Sequence, residues 1–146
     1  MEHYTNRELS WLAFNNRVLM EANNPDNPVF EQMKFLSIVS SNLDEFFMIR
    51  VGSLRDLVQS GAKGKDPSGM KPHEQLHALT LRIREQVKTQ YAVMNEQVLP
   101  ALARCGVRMA DLSGLTREQT IFLEDYFSRE VYPVLTPMAV DASHHF

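Results

Sequence analysis

The sequence has little of what marks a secreted, membrane-spanning or polyanion-binding protein. It contains one cysteine, Cys105, so it cannot form an intrachain disulfide, which is typical of a reducing cytoplasm. No apolar run approaches the ~20 residues that cross a bilayer, and the opening MEHYTNRELS has neither the basic nor the apolar region of a secretion signal. We expect a cytoplasmic protein, either free or attached peripherally to a membrane.

Positive charge and familiar active-site motifs are also missing. The net charge is −3 and the pI is about 5.9, whereas domains that follow DNA, RNA or another polyanion are usually basic. We therefore expect no nucleic-acid partner, although a small nucleotide can bind without a basic field. There is no G-x-x-x-x-G-K-[ST], G-x-G-x-x-G, G-x-S-x-G or paired-cysteine motif. Cys105 precedes Gly106 at an expected helix end and is interpreted as a small packing residue rather than a nucleophile.

What the sequence does contain is helical periodicity over its first 105 residues. A capping box at Thr5–Glu8 predicts a first helix to about Ala22, and apolar spacing predicts a second over 28–39. A third begins at Asn42 and runs to about Val58. Apolar residues ~3.7 positions apart, near the ~3.6 of an α-helix, predict a fourth from Leu76 until a proline ends or kinks it. We expect an all-α fold, a small antiparallel bundle of four helices.

Residues 106–146 change in character and predict the start of a second, α+β domain. The stretch 106–109 reads as a short strand, and a capping box at Thr116–Gln119 opens a helix. The β-branched, proline-containing YPVLTPMAV, residues 132–140, reads as strand and turn. The sequence then stops at DASHHF without a closing element, so we expect this domain to be truncated.

A metal site is suggested by HEQLH, residues 73–77. His73 and His77 at i and i+4 share a helix face and could bind zinc, with Glu74 as general base. A zinc peptidase needs a third ligand, and the remaining histidines, at positions 3, 144 and 145, lack the spacing for one. A solvated helix start explains the motif better, so we predict no metal ligand here.

The glycine-rich loop GAKGKDPSGMKP, residues 61–72, carries lysines at 63, 65 and 71 that could meet phosphates. It is predicted to be mobile, and its lysines are interpreted as a solvated group.

The stretch SSNLDEFFMIRV, residues 40–51, places polar residues between two apolar helical runs. In one interpretation Asn42 is an N-cap, Glu45 closes a capping box, and Asp44 and Glu45 complement the helix dipole. In the other, the Asn42 amide, which has donors and an acceptor, meets the edge of a purine ring. The neighbouring Phe46, Phe47 and Met48 would then supply an apolar wall. Residue chemistry alone leaves both interpretations open, with capping the commoner use of an asparagine.

Three segments together resemble the N-terminal region of bacterial family-1 polyphosphate kinases. They are RELSWLAFNNRVLMEA (7–22), FEQMKFLSIVSSNLDEFFMIRVGSL (30–54) and VLTPMAVDASHHF (134–146). The resemblance implies an enzyme that reversibly transfers the terminal phosphate of ATP to inorganic polyphosphate, through a phosphohistidine and with Mg²⁺. It also implies that residues 1–105 are a helical domain that helps to hold adenine, and that 106–146 begin a domain associated with dimer formation.

For individual residues, the resemblance implies an ATP-binding role for Asn42, the asparagine of the SNLDEF motif, with Ser41 and Asp44 only shaping the turn. The catalytic histidine, the Mg²⁺ ligands and the polyphosphate tunnel would belong to later domains, so no catalytic or metal residue is predicted within this chain. The full enzyme would be a homo-oligomer that binds ATP, ADP and polyphosphate, and this chain alone would be inactive. The alternative is a helical protein-interaction or structural module without a ligand.

Overall fold

The structure, a computed structural model, describes residues 4–138. It divides into two compact units, Met1–Arg108 and Met109–Phe146. The described part of the first unit is helical, with π-helical turns at Phe47–Val51 and Val93–Val98. Its helices are α1 (Arg7–Ala22), α2 (Val29–Phe46), α3 (Gly52–Gln59), α4 (Pro72–Ala92) and α5 (Leu99–Arg104).

The first unit has one apolar core between its long helices. Helix α1 packs against α2 and α4, and α3 packs against α4. The core is formed mainly by leucine and valine side chains at helical spacing, including Leu12, Leu19, Leu36, Val39, Leu43, Leu79, Ile83 and Val98. The predicted all-helical class is therefore confirmed for this unit. Among the described residues, no helix is both long and apolar enough to cross a bilayer.

Helix α1 begins one residue later than the predicted capping box. Asn6, not Thr5, is the N-cap, and its Oδ1 accepts a hydrogen bond from the Leu9 amide at 2.9 Å. The carboxylate of Glu8 instead accepts from the Arg7 guanidinium. Asn6 is preferred because its amide also reaches tertiary partners, Asp66 and Gln75, that a threonine hydroxyl could not bridge.

The predicted second and third helices form one continuous helical segment. Helix α2 extends to Phe46, and the π-helical turn leads directly into α3 with helical dihedral angles on both sides of each junction. The π-helical turn accommodates an extra residue without breaking the helix. The predicted boundary at Asn42 is therefore wrong, and the bundle consists of three long helical segments rather than four helices.

Pro100 does not end the fourth helix. The chain stays helical from α4 through Val93–Val98 into α5, where Pro100 lies in the first turn. A proline lacks the N–H of an α-helical hydrogen bond, and Pro100 is tolerated here because it follows the π-helical turn Val93–Val98, where the α-helical hydrogen-bond pattern is already interrupted. The segment ends at Gly106, which has φ of 82°. Cys105, the C-cap, is exposed, so its interpretation as a packing residue is wrong.

The second unit, taken by itself, contains α6 (Arg117–Tyr126), a π-helical turn at Phe127–Val131, and 3₁₀ turns at Leu112–Gly114 and Tyr132–Val134. The predicted capping box is confirmed. The Thr116 hydroxyl accepts from the Gln119 amide at 3.2 Å, and the Gln119 side chain accepts from the Thr116 amide at 2.9 Å.

The strands predicted for this region are not found among residues 106–138. Residues 107–110 have no regular structure, and the stretch from Tyr132 begins as a 3₁₀ turn before becoming irregular. Met109 and Val134 are about three-quarters exposed, at 74% and 77%. A strand needs a partner for its backbone groups, and the prolines at 133 and 137 cannot donate to one. Residues 139 and 140 of the predicted strand lie outside the described residues.

Candidate functional site

Asn42 lies inside α2 rather than at a helix start. Its neighbours on the buried stripe, Val39, Leu43 and Phe46, belong to the core, and Asn42 itself is partly buried beside them. Its Nδ2 donates a hydrogen bond to Oδ1 of Asn15 on α1 at 2.9 Å. The capping interpretation of Asn42 is therefore wrong, because every backbone amide near it belongs to a continuing helix.

Asn15 is the centre of a chain of side-chain amides. It is fully buried, with 0% of its surface exposed. Its Nδ2 donates to Oε1 of Gln86 at 3.1 Å and to the Val39 carbonyl at 3.4 Å. Gln86 on α4 donates in turn to the Leu12 carbonyl at 3.3 Å. Hydrogen bonds between side chains thus connect α2, α1 and α4 at the level of Asn42.

An aromatic pair lies one helical turn from this chain. The rings of Trp11 and Phe46 stack with centroids 4.4 Å apart and planes 10° apart. Because Trp11 precedes Asn15 by four residues and Phe46 follows Asn42 by four, α1 and α2 run antiparallel here. The pair is worth about 0.5–1.5 kcal/mol beyond its burial, and it fixes the register that brings the two asparagines together.

The predicted apolar wall is only partly available at the surface. Phe46 is buried against Trp11, so it belongs to the core and cannot face a ligand. Phe47 and Met48, on the π-helical turn, are 45% and 75% exposed. Of the three residues predicted to form the wall, only Phe47 and Met48 are therefore exposed enough to contact a ligand.

The remaining polar residues of the stretch have different surroundings. Ser40 accepts a hydrogen bond from Gln90 and so joins α2 to α4. Ser41, Asp44 and Glu45 are exposed and make no side-chain hydrogen bond to any other described residue. The role predicted for Asp44 and Glu45 at a helix N-terminus is wrong, because α2 continues through them. Ser41 and Asp44 likewise have no turn to shape.

A depression of about 560 Å³ lies between α1 and α4. Gln86 lines it and Asn42 does not. Its rim carries an ion pair between Arg82 and Glu85, at 3.2 Å, that leaves little net charge for an anionic ligand. This depression is a weaker candidate than the surface at Asn42.

The HEQLH motif forms a helix start, as the solvated interpretation predicted. Oε2 of Glu74 accepts a hydrogen bond from the Lys71 amide at 2.7 Å, which holds the carboxylate at the N-terminus of α4. That hydrogen bond lowers the pKa of Glu74, which makes it a poor general base. Within residues 4–138 no three His, Cys, Asp or Glu side chains are grouped to hold a metal ion. The histidines at 144 and 145 lie outside that range.

The loop before α4 is organised around Asp66. Its Oδ1 accepts from the Ser68 hydroxyl at 2.7 Å and from the Met70 amide at 2.8 Å, and its Oδ2 accepts from Asn6 at 2.7 Å. Partial burial acts to raise the pKa of Asp66, but the hydrogen bonds from Ser68, Met70 and Asn6 together lower it. The loop predicted as mobile is thus held to α1 by a charged side chain.

Asn15 and Gln86 were not singled out from the sequence. Asn15 falls on the apolar stripe of α1, between Trp11 and Leu19, and Gln86 follows Ile83 on the stripe of α4. Buried amides need hydrogen-bond partners. The sequence therefore contained one indication of this pair: each of the two helices has a polar residue at a position on its apolar stripe.

Comparison with known proteins finds that this chain is similar to the N-terminal part of polyphosphate kinases. The family model described as polyphosphate kinase N-terminal domain matches residues 4–110. The chain is 47% identical over 145 residues to a polyphosphate kinase of Bacillus anthracis, covering 99% of this chain and 21% of that protein. It is 44% identical over 144 residues to polyphosphate kinase 1 of Chlorobaculum tepidum, covering 98% and 21%.

A solved structure is also similar. The crystal structure of polyphosphate kinase from Porphyromonas gingivalis matches 90% of this chain and 18% of that chain, with a TM-score of 0.71 and 33% identity. The present chain therefore spans about a fifth of the length of the curated relatives it matches.

Proposed function

Because this chain belongs to the polyphosphate kinase N-terminal domain family, we propose that it is the N-terminal part of an ATP–polyphosphate phosphotransferase. The observation that carries the proposal is the family match over residues 4–110, within a chain that polyphosphate kinases match almost end to end. The reaction would be reversible transfer of the terminal phosphate of ATP to inorganic polyphosphate, and this segment alone would not catalyse it.

Within that enzyme, Asn42 binds the adenine of ATP. Two features support this role: the resemblance of its SNLDEF sequence to the family motif, and the partial burial of its amide, which leaves part of the side chain at the surface. Among the described residues its one side-chain hydrogen bond uses Nδ2. The Oδ1 atom therefore remains available to a ligand.

The contribution of this segment is to position the nucleotide. Phosphoryl transfer is catalysed almost entirely by positioning and by stabilising charge. A domain that holds the base would align the phosphates with groups in the rest of the enzyme. On the family resemblance, we assign Mg²⁺, the phosphorylated histidine and the polyphosphate to the rest of the enzyme. The cytoplasmic location and homo-oligomeric assembly remain proposals of the same kind.

Steady-state kinetics of the full-length enzyme carrying Asn42→Ala tests the nucleotide role. Loss of one hydrogen bond should raise KM for ATP about 2- to 10-fold, since such a bond is worth ~0.5–1.5 kcal/mol, with little change in kcat. Ser41→Ala is the matched control, because Ser41 is exposed on the adjacent position and should leave KM unchanged. An unchanged KM in Asn42→Ala would refute the nucleotide role.

A second candidate function, protein interaction, is favoured by the exposed π-helical turn. Phe47, Met48 and Ile49 are 45%, 75% and 53% exposed, and exposed apolar side chains can mark an interaction site. If the turn is an interface, Met48→Glu in the full-length enzyme should change its assembly state by size-exclusion chromatography while KM for ATP is retained. A raised KM with intact assembly would instead assign the turn to the nucleotide site.

A further inference from the structure

We propose that Asn15 is a positioning residue that sets which end of the Asn42 amide faces the nucleotide, and thereby favours adenine over 6-oxopurines. This inference rests on the proposed function, because it requires that Asn42 meets the base. It concerns a residue that does not itself contact the ligand.

The polarity of the amide chain is fixed at one end by a backbone carbonyl. Gln86 donates to the carbonyl of Leu12, which can only accept, so Nε2 of Gln86 must point there. Its Oε1 is consequently turned toward Asn15, where it accepts a hydrogen bond.

A second carbonyl fixes the next amide in the same sense. Nδ2 of Asn15 donates both to Oε1 of Gln86 and to the carbonyl of Val39. Exchanging the oxygen and nitrogen of Asn15 would place acceptor against acceptor at both contacts. The Oδ1 atom of Asn15 therefore faces Asn42. Because this oxygen can only accept, Nδ2 of Asn42 must be the donor, and the two atoms are 2.9 Å apart.

The consequence lies at the surface. With Nδ2 held inward, Asn42 presents its carboxamide oxygen outward as a hydrogen-bond acceptor. Adenine carries an amino group, a donor, on the base edge where guanine carries a carbonyl oxygen, an acceptor. An outward oxygen thus attracts adenine and repels guanine or hypoxanthine, whereas a freely rotating amide could turn to suit either.

Burial makes the arrangement rigid. Asn15 is fully buried and Gln86 is only 5% exposed, so their hydrogen bonds are largely shielded from water. Turning the Asn42 amide around would place its oxygen against Oδ1 of Asn15, so that two acceptors would face each other without a donor. The inner two amides thus act as an orienting support for the outer one.

The test compares ATP with ITP, which has hypoxanthine in place of adenine, as substrates of the full-length enzyme. In Asn15→Leu, the ratio of kcat/KM for ATP to that for ITP should fall about 2- to 10-fold, the range of one hydrogen bond. The ratio is the useful measure because a smaller active fraction lowers both rates equally. If leucine prevents folding, Asn15→Ser provides the same test, since a hydroxyl can donate or accept and no longer fixes the polarity.

Gln32→Leu is the matched control. Gln32 is also a buried amide on α2, but its hydrogen bonds go to the carbonyls of Asn24 and Asn27, away from Asn42. It should lower stability without changing the ATP:ITP ratio. The double variant Asn15→Leu/Asn42→Ala should have the same ratio as Asn42→Ala alone, because Asn15 acts only through Asn42.

The outcomes separate the two proposals. If Asn42→Ala raises KM for ATP while Asn15→Leu keeps the wild-type ratio, the orienting role is wrong and the nucleotide role stands. If Asn42→Ala changes neither KM nor the ratio, the nucleotide role fails and the orienting role fails with it. A lowered ratio in Gln32→Leu would attribute the effect to general loosening of the bundle, and would also overturn the orienting role.

Discussion

Two networks of side-chain amides lie on α1, and they differ in how they end. At the start of the helix, Asn6 donates to both Asp66 and Gln75. Backbone groups are the partners of the remaining oxygens of Asn6 and Asp66 and of the Gln75 amide nitrogen. Two turns later, the chain through Gln86 and Asn15 ends at Asn42, whose oxygen is left over. A network that closes on itself stabilises the fold, whereas one that ends at the surface has capacity for a ligand.

The largest expected effect on stability comes from breaking the open network at its centre. Asn15→Leu leaves Gln86 and Asn42 without their partner in a buried site, and should lower the free energy of unfolding by about 2–3 kcal/mol. Urea unfolding followed by circular dichroism measures this. Replacing Gln86 by leucine as well should recover part of the lost stability, because the double variant no longer buries a Gln86 amide without its Asn15 partner. Loss under 0.5 kcal/mol would contradict the burial of this network.

The closed network should give a smaller effect and no change in nucleotide binding. Asn6→Ala removes the N-cap of α1 and its bonds to Asp66 and Gln75, and should cost about 1–2 kcal/mol of stability. Because this network makes no contact with Asn42, KM for ATP in the full-length enzyme should stay at its wild-type value. A raised KM would remove the distinction between closed and open networks.

The charge of Asp66 should make the closed network sensitive to acid. Its pKa is lowered from 3.8 in the folded chain, so its contribution is present above pH ~4 and is lost as the pH falls through the folded pKa. Urea midpoints between pH 6 and pH 2.5 should therefore decline less steeply in Asp66→Asn than in the wild type. Equal slopes would mean that the hydrogen bonds to Asp66 do not favour its ionised form.

The smallest effect is expected next to the closed network, at Glu74. Glu74→Ala removes the exposed hydrogen bond to the Lys71 amide and should lower the thermal midpoint less than Asn6→Ala does. Metal analysis of the wild-type chain should find no stoichiometric zinc. Zinc that disappears with His77→Ala would restore the metal-site interpretation of the motif.

The helical class of the first unit could be predicted from the sequence, whereas the helix boundary at Asn42 and the strands could not. Helical periodicity predicted the all-α class of the first unit correctly, because burial of one helix face follows directly from spacing. Three residues of the predicted apolar stripes, Phe14, Phe47 and Tyr91, are nevertheless exposed.

The prediction failed at Asn42, where a local capping pattern competed with continuation of α2. The partner that favours continuation, Asn15, lies 27 residues away in the sequence. The strands predicted near Met109 and Val134 failed for a related reason, since β-branched composition does not supply a pairing partner.

Asn42 as the adenine-binding residue stays a prediction from the resemblance, and the sequence did not predict how its amide is positioned. The resemblance pointed to Asn42, and its identity as an amide was visible in the sequence. The orientation of that amide depends on the backbone carbonyls of Leu12 and Val39. Every residue has a backbone carbonyl, so the identities of these two residues do not reveal the orientation. Only the three-dimensional arrangement of α1, α2 and α4 shows that these carbonyls act together.

The most direct measurement is a structure of the full-length enzyme with a bound ATP analogue. We predict that Oδ1 of Asn42 lies ~2.8–3.2 Å from the amino nitrogen of adenine, within hydrogen-bond distance, while Nδ2 still contacts Asn15. An adenine ring bound elsewhere, or one that meets Nδ2 of Asn42 instead of Oδ1, would contradict it.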